Sequence, residues 1–187
     1  LYPTTTYHYN SGGEPDHIPD LSYDDLLSFY KSHYHPSNSV IMTFGNIPAL
    51  DHQSQFEDLA LSRFTELNSQ ITVDDEKRYL SPIRAEEFYA SDNRGGTNTH
   101  VVMGWLLGKS TDIKDLFRAQ LLANVLLDHS GSPLLKILET TQLGTSPSPI
   151  CGLDDGNKEM SFILGLEGCH DQDSLKVENL ILDSLSG

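Results

Sequence analysis

Between Leu21 and Gly45 the chain spells out a helix, its stop and a strand, and no other segment constrains the fold as tightly. Ser22 stands where its hydroxyl can accept from the backbone N–H of Asp25. Asp24 and Asp25 lie at the positive end of the helix dipole, and Leu21 and Leu26 flank the cap as a hydrophobic staple would. The helix should run from about Tyr23 to His33, because Pro36 cannot continue it and pushes its predecessor out of the helical region. Ser39-Val40-Ile41-Met42-Thr43-Phe44-Gly45 then reads as a buried, β-branched and aromatic strand closed by glycine. Asp51 to Leu67 reads as a second helix, with Phe56, Leu59, Ala60, Arg63 and Phe64 at helical spacing.

Residues 68–84 change character: they are polar, acidic at Asp74-Asp75-Glu76 and without periodicity, as a solvated linker would be. After them, Ala85 to Ser91 and Thr99 to Leu107 read as strands of a hairpin turned at Asn93-Arg94-Gly95-Gly96. Asp112 caps a helix reaching about Leu127, apolar enough around its circumference to demand cover on more than one side. Ser132-Pro133 places a cap and a first-turn proline before a short helix ending at Thr140, and Gly144 to Pro149 is a turn-rich connection. Glu159 to Gly168 reads as a strand and Asp171 to Leu185 as a helix capped by Asp171. This order predicts an α+β fold, an antiparallel sheet with helices packed on one face. The expected division is 1–67, a linker over 68–84, and 85–187, with the second part cut short. Uncovered strand edges and apolar surface predict possible self-association.

Charge narrows the function classes. Twelve Lys and Arg against 27 Asp and Glu give a formal charge of −15, which disfavours nucleic acid and anionic membrane as partners. No run approaches the roughly 18–20 apolar residues of a membrane helix, and Leu1-Tyr2-Pro3-Thr4 lacks the features of a signal peptide. Without an initiating Met, the chain is expected to begin inside a longer reading frame. With no Asn-x-Ser/Thr sequon, it reads as soluble and as intracellular rather than secreted. Cys151 and Cys169 fit neither a disulfide framework nor a four-ligand zinc site, and read as free, buried thiols.

Eight histidines raise the question of a metal, but ligand spacing decides it, and neither H-E-x-x-H nor H-x-x-E-H occurs. His33 and His35 form an H-x-H pair at a helix end, better read as a dipole contact and a packing residue. His8, His17, His52, His100, His129 and His170 stand alone. Cys169-His170 would point to opposite faces of a strand end, so a thiolate–imidazole dyad is not expected. Asp128-His129-Ser130-Gly131-Ser132 lacks the G-x-S-x-G elbow and follows a helix. Ser11-Gly12-Gly13 and Gly95-Gly96 are too short to cradle phosphate and lack a following Lys. No catalytic, cofactor-binding or metal residue is assigned.

The order of motifs resembles one family. Asn10-Ser11-Gly12-Gly13-Glu14-Pro15, Ile18-Pro19-Asp20-Leu21-Ser22, Tyr30-Lys31-Ser32-His33-Tyr34-His35-Pro36-Ser37-Asn38 and Phe44-Gly45-Asn46 open the series. Gly104-Trp105, Leu126-Leu127, Ser132-Pro133-Leu134-Leu135-Lys136, Leu143-Gly144 and Phe162-Ile163-Leu164-Gly165-Leu166-Glu167-Gly168 complete it. Together they are similar to the insulinase or pitrilysin-type zinc metallopeptidases, in particular the presequence-protease-like branch. The resemblance implies repeated α+β domains, here the end of one repeat and most of a second, in the segment called the inactive domain. It implies zinc in the parent protein but on the N-terminal side of this segment, so no zinc ligand or substrate-gripping residue carries over. The implied role is non-catalytic, with the rest of the peptidase chain and its peptide substrates as partners. A scaffold subunit whose parent has no zinc site is the alternative.

Overall fold

The computed structural model describes residues 1–68, 70–91 and 96–186. In it the chain divides into two compact units, Tyr9–Asp74 and Leu1–His8 together with Asp75–Gly187. In the first unit, Ser22 fills its expected role: its Oγ accepts from Asp25 N at 3.1 Å, and the Asp25 carboxylate accepts in return from Ser22 N at 3.3 Å. This capping box starts α1 (Tyr23–His33). Past Pro36 a short 3-10 turn is tied to a distant stretch, because Ser37 Oγ accepts from Leu67 N and Asn38 Oδ1 from Ile71 N, each at 3.0 Å.

Two expectations fail in this unit. Residues 39–45 form no strand: Val40, Met42 and Phe44 are almost wholly exposed, and among the described residues no neighbouring strand offers a ladder. A β-branched run becomes a strand only when its N–H and C=O groups find partners in another segment. The second helix, α2 (Ala49–Leu59), begins earlier and ends sooner than its periodicity suggests. Ala60, at φ −132° and ψ −60°, breaks it, and Leu61–Arg63 follow as a 3-10 turn. No described residue of this unit is buried.

The other unit contains the sheet. β1 (Thr99–Lys109) alternates Val101, Met103, Trp105 and Leu107 onto one face, packed against the core. A loop leads to α3 (Ile113–Leu127), capped as expected by Asp112, whose Oδ1 accepts from Lys114 N and Asp115 N. Then come α4 (Pro133–Thr140), the short strands β2 (Ser146–Pro147) and β3 (Gly152–Asp154), the central strand β4 (Glu159–Cys169) and α5 (Ser174–Ser186). β1 runs antiparallel along one side of β4, with Met103 opposite Leu164 and Trp105 opposite Phe162. β2 and β3 pair antiparallel with successive parts of its other side.

Phe162, Leu164 and Leu166 of β4 share one core with Ala123 of α3, Leu134 and Leu138 of α4, and Val177 and Ile181 of α5. This is the α+β arrangement the element order implied. β1 and β4 approach too closely at Gly165 for any other residue. A Cβ there would collide with the Val101 carbonyl oxygen and lie 2.7 Å from Val102 Cγ1. Gly168, at φ +66°, takes the left-handed conformation where the register of β4 against β1 shifts, between the Val101–Leu166 and Thr99–Cys169 pairs.

The remaining differences are local. Residues 85–91 form no strand, and the turn at Asn93, Arg94 and Gly95 lies outside the described residues. Upstream, Arg84 is anchored by a two-pronged contact with Glu178 of α5, at 2.9 and 2.5 Å. Ser132 does not cap α4 with its side chain; its Oγ, fully buried, accepts from His129 N and donates to Asn124 O. Asp171 does not cap α5, because a 3-10 turn over Asp171–Asp173 intervenes and the Asp171 carboxylate accepts from the Thr99 hydroxyl instead. α3 is not covered on several sides, since Ile113, Phe117, Leu121, Leu122 and Val125 are exposed. Among the described residues no helix is long and apolar enough to cross a membrane.

Candidate functional site

A dense polar cluster forms where Leu1–His8 meet Asp75–Arg78 and one end of the sheet. Glu76, only 5% exposed, receives the backbone N–H and hydroxyl of both Thr4 and Thr5 and the N–H of Lys77, over 2.5–3.2 Å. Its own N–H donates to Glu159 Oε2 at 2.5 Å, and Arg78 Nη2 donates to Glu159 Oε1 and to the Leu107 carbonyl, both at 2.6 Å. Asp75 pairs with Lys109 at 2.7 Å and Lys158 at 2.9 Å. Tyr2 OH donates to Glu159 O at 2.8 Å, and Lys158 N donates to Tyr7 OH at 3.1 Å.

The electrostatics follow from the donors. Burial acts most strongly on Glu76 and would raise its pKa, but the Thr4, Lys77 and Thr5 hydrogen bonds outweigh it and bring the carboxyl down to about 2. The ammonium groups of Lys109 and Lys158 hold Asp75 at about 2. Carboxylates bound this tightly make poor general bases, and the cluster's chemistry is that of a clasp. The reading of Asp74-Asp75-Glu76 as solvated is therefore corrected: it suits Asp74, while Asp75 is paired and Glu76 buried. No local signal marks Glu76, because the threonines that bind it lie 71 and 72 residues away.

The singled-out histidines do not converge. His33 Nδ1 sits 2.8 Å from Ser32 Oγ and 3.1 Å from Phe29 O, and its ring stacks on Phe29. His35 Nδ1 accepts from Ser37 N at 3.2 Å, with its ring edge-on to Phe64. His17 approaches Asp20 in an exposed turn, His100 packs edge-on against Tyr89, and His129 Nδ1 accepts from Gly131 N. His8 ends a 3-10 turn. His52 Nε2 is buried without a partner beside an open cleft of about 370 Å³ lined by Ile41, Phe56 and Leu61. Among the described residues no group of three or more His, Cys, Asp or Glu could hold a metal.

Cys169 is buried while His170 is exposed, as opposite faces require. Burial raises the Cys169 thiol, and burial likewise raises Cys151, whose sulfur contacts Gly165 N and O at 3.2 and 3.4 Å. Both are free. Asn10-Ser11-Gly12-Gly13 closes a turn through Gly13 N to Asn10 O and Gly12 N to Asn10 Oδ1, each 2.9 Å.

A sheet with helices on one face defines an α+β module. The chain belongs to the Peptidase M16 inactive domain family, whose profile matches residues 20–187. It is similar to the mitochondrial presequence protease of Xenopus tropicalis, 37% identical over 186 residues, covering 97% of this chain and 18% of that protein. Those of Schizosaccharomyces pombe and Mus musculus are each 33% identical, with the same two coverages. The chain thus spans under a fifth of these relatives' length.

Proposed function

We propose that this chain is a non-catalytic segment of a longer, zinc-dependent peptide-degrading enzyme, contributing structure and part of the wall of its reaction chamber. The observation that carries the reading is the inactive-domain match over residues 20–187. Two features of the chain support it. His33, His35 and His129 each engage Nδ1 in a separate local contact, and residues 39–45 present an unpaired apolar run suited to a neighbouring segment's sheet.

The relatives' names supply a substrate class and a compartment, mitochondrial presequences, which this reading adopts. Such peptides are Arg-rich and poor in acidic residues, and a charge of −15 would draw them to the wall and repel acidic peptides. The test compares this chain alone with the longer protein containing it, on matched basic and acidic unstructured peptides, with zinc measured in both. The chain alone should hydrolyse nothing and hold less than about a tenth of a zinc per molecule. The longer protein should cleave, favouring basic peptides. Chelator-sensitive hydrolysis by the chain alone would overturn the reading, and a longer protein without zinc or activity would leave a scaffold in its place.

A further inference from the structure

α3 carries an apolar stripe that its own sheet does not use. Ala119 and Ala123 face the interior, whereas Phe117, Leu121 and Val125, four residues apart, are 65%, 54% and 48% exposed. The stripe ends in opposite charges. Lys114 stands two helical turns before Leu121 and Asp128, the residue that closes α3, two turns after it. At 3.6 residues per turn all five lie close to one face, with each charge about 10 Å from Leu121 along the axis. The Asp128 carboxylate is steadied by Asn124 Nδ2 at 3.2 Å.

The arrangement is symmetric about Leu121: Lys, Phe, Leu, Val, Asp. A helix with that order matches a copy of itself turned end for end, as a two-fold contact requires. We propose that α3 is a self-association surface, on which two copies of the chain pack α3 antiparallel about an axis at Leu121. Phe117 of each protomer then meets Val125 of the other, and Lys114 of each meets Asp128 of the other. Charge selects both occupant and direction, because a parallel pair would set Lys114 against Lys114 and Asp128 against Asp128. The contact is modest. Two helix faces bury less than the roughly 1,600 Å² of a standard interface, and a charge of −15 per chain opposes association.

Sedimentation equilibrium of the 187-residue chain, across about 1 µM to 1 mM at fixed ionic strength, should show a mass rising toward twice that of one chain, as a weak two-fold contact predicts. Leu121→Glu sets two carboxylates on the axis and should weaken association at least about tenfold, with the circular dichroism unchanged because the residue is exposed. Lys114→Asp and Asp128→Lys should each weaken it about three- to tenfold, and the two together should restore it. A single-chain mass at every concentration overturns the proposal. So does wild-type association in Leu121→Glu, or a charge-swapped pair no tighter than its parents. The proposal concerns this chain by itself, and its failure leaves the peptidase reading, which rests on the inactive-domain match, untouched.

Discussion

Glu76 shows how far a side chain's role can lie from its neighbours in sequence. Its carboxylate gathers both threonine hydroxyls and three backbone N–H groups, so the folded state binds its proton far more weakly than the unfolded chain does. The folded pKa values of Glu76 and Asp75, about 2 each, lie below their ordinary 4.5 and 3.8. Their stabilisation is therefore complete above about pH 4.5 and lost as pH falls toward 2. Thermal melts between pH 6 and pH 2.5 should show falling midpoints. Glu76→Gln should lower the midpoint at pH 6 and flatten the decline, whereas an unchanged pH dependence would remove Glu76 from the clasp. The cysteines were legible as free thiols from their number and spacing, but of the two expected to be buried only Cys169 is, Cys151 being half-buried; with thiol pKa values raised by burial, both should react slowly with a thiol reagent in the native protein and fast in denaturant.

At the scale of elements, periodicity served well where an element is self-contained or finds its partner within the same unit. α1, α3, α4, β1 and β4 lie close to where caps, proline and alternation put them. The runs 39–45 and 85–91 have strand composition without a strand, because a ladder is a property of two segments and composition reports on one. β4, by contrast, is paired on both sides, and its energetics should show it. Leu164→Ala, at a fully buried position, should destabilise the sheet-bearing unit by about 2–5 kcal/mol in urea titrations. Gly165→Val should cost about 1–3 kcal/mol or more, because the added methyls meet the backbone of Val101 and Val102. A tolerated valine would mean that β1 can move away without loss.

Taken whole, the molecule divides stability unevenly. The fully buried residues Leu134, Leu138, Leu164, Leu166, Val177 and Ile181 all belong to the unit containing the sheet, and no described residue of Tyr9–Asp74 is buried. Hydrogen exchange of the isolated chain should find β4 and α5 protected through global unfolding, with α1 and α2 exchanging through local opening. Equal protection in both units would contradict this division. The Thr4, Thr5 and Glu76 contacts add a topological consequence. They join the points where the chain leaves the sheet unit, after His8, and returns to it, at Asp75, so they close residues 9–74 into a loop, much as a non-covalent staple would. Closing a loop costs entropy that grows slowly with its length, about 0.6 kcal/mol per doubling for a flexible chain. Replacing residues 9–74 by a short glycine-rich linker should therefore leave the sheet unit folded and make its clasp easier to close.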